Sequence, residues 1–195
     1  MRIISGMGKG RNLLSPHGGT RPTSDRAREA LFSTLESEFG SLADLYFLDL
    51  FCGSAAVATE ALSRGAAVVH AVDNNEKATE IARQNLALLE NIPGIGSNAV
   101  FTMSAGKYLD TNSNRATNNI QFDIVYFDPP YELPNGELEK LIRELNENAL
   151  IKKSAVIAVE RGSKSKPLDW PSGFKALKER NYGAATIYYA EYIGG

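Results

Sequence analysis

From residue 46 onward, short apolar runs alternate with longer stretches whose apolar positions recur every three or four residues. The runs Tyr46–Phe51, Ala67–Val72, Ala99–Met103, Phe122–Phe127 and Ala155–Glu160 have the length and continuity of buried strands. Between them the pattern predicts helices from Gly53-Ser54 through Arg64, over about Asn75–Leu89 with Ala78, Ile81 and Leu88 inward, a short one to Leu109, and over about Asn135–Leu150. Phe174–Arg180 and Ala184–Tyr192 flank Asn181-Tyr182-Gly183 and predict a closing hairpin. Strand–helix alternation implies an α/β, Rossmann-like, mostly parallel sheet with helices on both faces and an antiparallel C-terminal hairpin.

The first 40 residues break this rhythm. Ile3-Ile4 and Leu13-Leu14 surround Gly6, Gly8 and Gly10 and predict a small hairpin. Ser15–Gly19 reads as a loop. A helix follows Arg21-Pro22-Thr23-Ser24, capped by Thr23 or Ser24, with Ala27, Ala30, Leu31 and Leu35 on one face. Residues 110–120 are polar and predict a mobile loop. The chain thus divides into a basic hairpin-and-helix extension, 1–40, and an α/β domain, 41–195.

Composition narrows the class. A chain of 195 residues with 43% hydrophobic content supports one domain with a real core. No apolar run reaches the length of a membrane span, and Met1–Gly6 lacks a signal-peptide core. Cys52 is the only cysteine, and His17 and His70 have no partners at metal-ligand spacing. The expectation is a cytoplasmic protein with no structural metal. The net charge of −2 does not itself suggest a nucleic-acid partner. Its distribution does: residues 1–30 carry six cations against Asp25 and Glu29, a net +4, so the remainder carries −6. The basic arm is a candidate for phosphate contact, or a solvated surface.

Three strand ends carry candidate chemistry. Two prolines stop the chain directly after Phe122–Phe127, leaving Asp128-Pro129-Pro130-Tyr131 at the strand's end. A planar amine could stack on Tyr131 and donate to Asp128 and the Pro129 carbonyl. Leu48-Asp49-Leu50-Phe51-Cys52-Gly53-Ser54 puts a glycine just past another strand, where backbone amides can approach a ligand. Asp73 ends a third strand, 20 positions after Gly53, the spacing at which an acid reaches ribose hydroxyls. Each feature has a plainer reading: a strand-to-loop turn, a tight strand–helix turn, and a cap on the next helix. Cys52 reads as a packing residue rather than a nucleophile. The Gly-x-Gly-x-x-Gly pattern of nicotinamide dehydrogenases is absent after the first strand.

Phe47–Ser54, followed by Glu60–Ala66, resembles the nucleotide-binding signature of class I S-adenosylmethionine-dependent methyltransferases. Arg2–Gly6 with Lys9-Gly10-Arg11, then Arg21–Phe32, then Asp128–Tyr131, is similar to the bacterial 16S rRNA (guanine-N2)-methyltransferase family (RsmD-type). The resemblance spans nearly the whole chain. It implies methyl transfer from S-adenosylmethionine to the exocyclic N2 of a guanine in 16S rRNA, with the assembled small subunit as a possible form of the substrate, by a monomer without a metal. It places Asp49, Phe51, Gly53, Ser54, Asp73, Asn74, Ser104, Ala105 and Asp128 at the cofactor. Asp128, Pro129, Pro130 and Tyr131 would handle the base, and Lys9, Arg11, Arg21, Arg26 and Arg28 the RNA. The chain departs from the family's pattern at Ala55, where a second glycine is usual, and at Ser104, where an acid is. Competing expectations are an amine methyltransferase for DNA adenine-N6 or another RNA base, and a non-catalytic RNA-binding or ribosome-assembly protein.

Overall fold

In the computed structural model, residues 1–15, 25–113 and 120–194 are described. The expected loop at 16–19, the Thr23 and Ser24 caps, Arg21 and His17 lie outside them, as do residues 114–119 of the polar loop. Among the described residues, five helices and seven strands alternate, and the strands form a mixed sheet, mostly parallel, with an antiparallel C-terminal hairpin. No described helix is long and apolar enough to cross a membrane.

The first compact unit is Met1–Met103. It holds α1 (Asp25–Phe39), β1 (Tyr46–Leu50), α2 (Ala56–Ser63), β2 (Val68–Asp73), α3 (Glu76–Ala87) and β3 (Ser97–Thr102). β2 lies between β1 and β3 in a parallel ladder, with Leu50 opposite Val72 and Val72 opposite Phe101. Phe47, Leu48, Leu50, Val69, Ala71 and Val72 are wholly buried, as the continuous apolar runs of a covered parallel sheet require. In α1, Ala27, Leu31 and Leu35 are buried as expected, and Phe32 and Arg28 join them, while Ala30 is half-buried.

Two helices depart from expectation. α2 begins at Ala56 rather than at Gly53, because Gly53 and Ala55 have left-handed φ values of 54° and 56° that keep them out of the helix. α3 buries Thr79, Ala82, Asn85 and Leu86, not Ala78, Ile81 and Leu88. The face is turned by Asn85, whose amide is fully buried: it accepts from Leu14 N (2.8 Å) and donates to Leu14 O (3.0 Å) and Ser54 O (2.8 Å).

The N-terminal hairpin exists, closed by an Arg2–Asn12 bridge and by bonds between Ile3 and residues 10 and 11. It is fastened to α2. The Ile4 and Ser5 amides donate to the Glu60 carboxylate at 2.8 and 2.9 Å, Met7 N to Ser63 O at 2.7 Å, and Gly8 N to Ser63 Oγ at 2.9 Å. A Cβ on Gly6 would lie 1.9 Å from Ser63 O, so only glycine permits this approach.

The second unit, Ser104–Gly195, comprises α4 (Ala105–Thr111), β4 (Phe122–Phe127), α5 (Asn135–Glu147), β5 (Ile151–Gly162), β6 (Phe174–Asn181) and β7 (Ala185–Tyr192). β4 runs parallel to β5, while β7 pairs antiparallel with both β5 and β6. β5 is twice its expected length. It starts at Ile151 and passes a register irregularity, with Ser154 at φ 66°.

Candidate functional site

In the first unit, the loop from β1 to α2 is built on alternating left-handed residues: Phe51 (φ 66°), Gly53 (54°) and Ala55 (56°). The amides of this loop are largely spent on holding its shape: Cys52 N donates to Val72 O, Gly53 N to Asp73 and Ala55 N to Cys52 O. A Cβ on Gly53 would meet nothing within 4 Å, so the approach to this backbone is open. Asp73, half-buried at the end of β2, accepts from Gly53 N at 2.8 Å through Oδ2 and from Asn75 N at 2.9 Å through Oδ1. Each oxygen keeps a lone pair for a diol. The cap of α3 is Asn75, whose side chain accepts from Ala78 N, so the capping reading of Asp73 does not hold. Asn74 beside it is exposed.

Asp49 is 1% exposed and accepts from Ala58 N at 3.1 Å, in the first turn of α2. This bond ties the end of β1 to the first turn of α2. Cys52 is held by Cys52 N to Val72 O (2.9 Å). Burial, with Asp49 and Asp73 nearby, pushes its thiol far above the ordinary range, so it stays protonated and inert.

In the second unit, Ser104 is exposed and caps α4, accepting from Lys107 N at 3.3 Å, and Ala105 is buried behind it. Asp128 follows β4 directly and is half-buried, Pro129 is buried, and Tyr131 is 46% exposed. The turn closes from Leu133 N to Pro130 O at 2.9 Å. A Cβ on Gly162 would lie 3.6 Å from Tyr131 Cδ1, so the ring rests against the backbone at the end of β5. Two residues escaped the sequence reading. Arg161, 3% exposed, donates to Pro130 O (3.4 Å), Leu133 O (2.7 Å) and Asn135 Oδ1 (3.3 Å), and Asn135 donates onward to Lys166 O and Pro167 O. The available signal was a Glu-Arg pair closing the apolar run Ala155–Val159.

The basic arm sorts into two groups. Lys9 and Arg26, with Arg2, line a shallow cavity of about 350 Å³ in the first unit, beside Asp25 and Glu29. Arg11 is exposed and donates to Leu88 O. Arg28 is wholly buried: its guanidinium donates to Arg2 O (2.5 Å) and Asp25 (3.1 Å) and faces Glu60 at 3.7 Å. It holds α1 to the hairpin and to α2 and is not a phosphate contact.

The model of the family described as conserved hypothetical protein 95 matches residues 1–191. Ribosomal RNA small subunit methyltransferase D of Escherichia coli is 34% identical over 175 residues, 87% of this chain and 81% of its own length. The chain belongs to this methyltransferase family. A putative rRNA methyltransferase of Bacillus subtilis is 30% identical across 96% of both chains. A solved structure of a putative methyltransferase from Escherichia coli covers all of this chain and 99% of its own at 29% identity, with a TM-score of 0.81. The family's fold is that of the class I methyltransferases, and the chain is a methyltransferase.

Proposed function

We propose that this enzyme transfers the methyl group of S-adenosylmethionine to the exocyclic N2 of a guanine in 16S rRNA. The carrying observation is the Asp128–Tyr131 loop at the end of β4, a carboxylate and an exposed ring on a doubly proline-stiffened backbone, in a chain of this family.

The first unit's donor set fits the cofactor. Asp73 suits ribose hydroxyls, and the first amides of α2 suit a carboxylate. Ser54 and Phe51 shape this loop and Asn74 borders it; Ser104 and Ala105, at the start of α4, are the residues proposed for the adenine. When bound, the cofactor supplies a sulfonium methyl, the electrophile. The protein supplies alignment and electrostatics. Guanine N2 is a weak nucleophile because its lone pair is delocalised into the ring. Asp128 and the Pro129 carbonyl accept hydrogen bonds from its N–H groups and stabilise the positive charge that builds on nitrogen, which is discharged when one of these N–H bonds breaks and the proton is lost. Tyr131 stacks on the base and fixes its plane. A base inside a duplex is out of reach, so the target is unpaired or flipped out.

Lys9, Arg11, Arg21 and Arg26 are the proposed phosphate contacts. With a net charge of −2 the chain has no global field to hold naked RNA. An assembled small subunit, acted on by a monomer, therefore suits it better.

The test is methyl transfer from labelled cofactor to small subunits from cells lacking this enzyme, followed by nucleoside analysis. Labelled N2-methylguanosine is expected. Asp128→Ala should lower kcat at least 100-fold with cofactor affinity kept within about twofold. Label on a different nucleoside, or none despite cofactor binding, would transfer the reading to another planar amine. Loss of cofactor binding in the parent would point to a non-catalytic RNA-binding protein.

A further inference from the structure

Arg161 is a buried cation with no carboxylate partner among the described residues. Its neighbour Glu160 is engaged elsewhere, accepting from Tyr126 Oη at 2.7 Å. A buried charge without a counter-charge is costly unless its donors are well used. Arg161 directs its two terminal nitrogens to a single segment, 130–135, reaching two carbonyls and one side-chain amide oxygen, while its Nε meets no acceptor among the described residues. That segment continues from Asp128 and Pro129 and carries Tyr131. Its own backbone supplies one turn bond, Leu133 N to Pro130 O, and Pro134 O accepts from Glu137 N and Leu138 N at the start of α5, while no side chain caps that helix. Asn135 ties the far end of the segment to Lys166 O and Pro167 O, and Gly162 supports the Tyr131 ring.

We propose that Arg161 is a positioning residue, which locks the Asp128–Tyr131 loop in the orientation that presents the carboxylate and the ring to the target base. The role given to the loop rests on the functional reading above. Two prolines fix φ at two positions, but Tyr131 and Glu132 carry no such restriction, and Arg161 pins the carbonyls of Pro130 and Leu133 on either side of them. A guanidinium spreads these donors over two nitrogens in one fixed plane, whereas an ammonium offers a single rotatable centre. Misplacing catalytic groups by about 1 Å can slow a reaction by about 100-fold, so a clamp acting at one remove has a large effect.

The experiment compares the full-length parent with Arg161→Met, Arg161→Lys and Asn135→Ala. Hydrogen exchange is followed in the peptide spanning 131–137, cofactor affinity by calorimetry, and kcat and KM on small subunits. Both Arg161 variants should exchange at least tenfold faster in that peptide alone. They should keep cofactor affinity within about twofold and lose about 10- to 100-fold in kcat, with KM changed far less. Asn135→Ala removes one end of the clamp without exposing a buried charge, and should show a smaller change in the same direction. It carries the test if the Arg161 variants do not fold. Combining Arg161→Met with Tyr131→Ala should cost less than the product of the two separate losses, because both act through one loop. Parent-like exchange at 131–137, or an unchanged kcat per cofactor-binding site, overturns the proposal. If the parent transfers no methyl to subunits, the functional reading has failed, and the exchange result decides the clamp on its own.

Discussion

Ala55 shows what one methyl group does at a turn. Its φ of 56° and ψ of 36° put an L-residue in the left-handed region, at a strain of roughly 1 to 2 kcal/mol. Glycine removes the strain but adds backbone entropy to the unfolded chain, about 0.5 to 1 kcal/mol. Ala55→Gly should therefore stabilise the protein by about 0.5 to 1 kcal/mol in urea unfolding; a lower midpoint would show that the methyl packs usefully, for Ala55 is wholly buried. His70 supports a second prediction. Burial on β2 lowers its pKa from 6.5 to about 4. The unfolded chain then binds a proton that the folded chain refuses between these values. Stability is fully present above about pH 6.5 and falls as pH drops toward 4, by on the order of 3 kcal/mol. Urea midpoints at pH 7, 5.5 and 4.5 should show the slope in the parent and a shallower one in His70→Leu. Asp49, Gly53, Asp73 and Asp128 were legible as strand-end residues, because strand ends can be read from apolar periodicity. Arg161 was not, because nothing in a linear pattern shows which carbonyls a buried guanidinium will meet.

Glu60 is the hub that makes the hairpin and α2 one element. Its carboxylate, wholly buried, takes the Ile4 and Ser5 amides, Arg64 Nε at 2.9 Å and the Arg28 guanidinium. Arg64 reaches on to Glu36 at 2.8 Å and lies over the Phe32 ring. All eight residues of α2 are buried, and its polar members, Thr59, Glu60 and Ser63, all make hydrogen bonds there. The hairpin was legible from its glycines, but its docking was not, since the sequence does not say that Gly6 must meet Ser63 O. Likewise the start of α2 was misplaced because left-handed φ at Gly53 and Ala55 is set by the Asp73 bond and the strand–helix junction. The docking is testable. Gly6→Ala combines a 1.9 Å overlap with backbone and a φ of 78°, a penalty on the order of 2 to 4 kcal/mol. Trypsin should then cut rapidly after Lys9 and Arg11, and methylation of subunits should fall while cofactor affinity holds. Gly10→Ala, at φ 88° but in open space, should stay protease-resistant. Equal cleavage of the two variants would mean that backbone strain, not the Ser63 contact, holds the hairpin.

Charge is the property that belongs to the whole molecule, and the description of a basic arm on an acidic body is incomplete. Residues 161–180 contain six cations against Asp169 and Glu179, a net +4 equal to that of residues 1–30. The rest of the chain must then carry −10. Lys175, Lys178 and Arg180 lie on β6, the outermost strand, where cations discourage edge pairing. Lys164 and Lys166 have no such role. Both are exposed in the turn after Gly162, against which Tyr131 rests. RNA leading to a base stacked on Tyr131 would pass near this turn. Each phosphate neutralised by a cation releases condensed counterions and adds roughly 0.7 to 0.9 to the slope of log affinity against log salt. Replacing Lys164 and Lys166 together with glutamine should reduce that slope by about 1.4 to 1.8, measured by RNA binding across roughly 50 to 200 mM salt. Replacing Lys9 and Arg26, which share the cavity of the first unit, should do the same if the arm also grips phosphate. A slope that responds only to the arm would confine RNA contact to the N-terminal segment. A slope that responds only to the turn would make the arm a structural brace, the part Arg28 already plays.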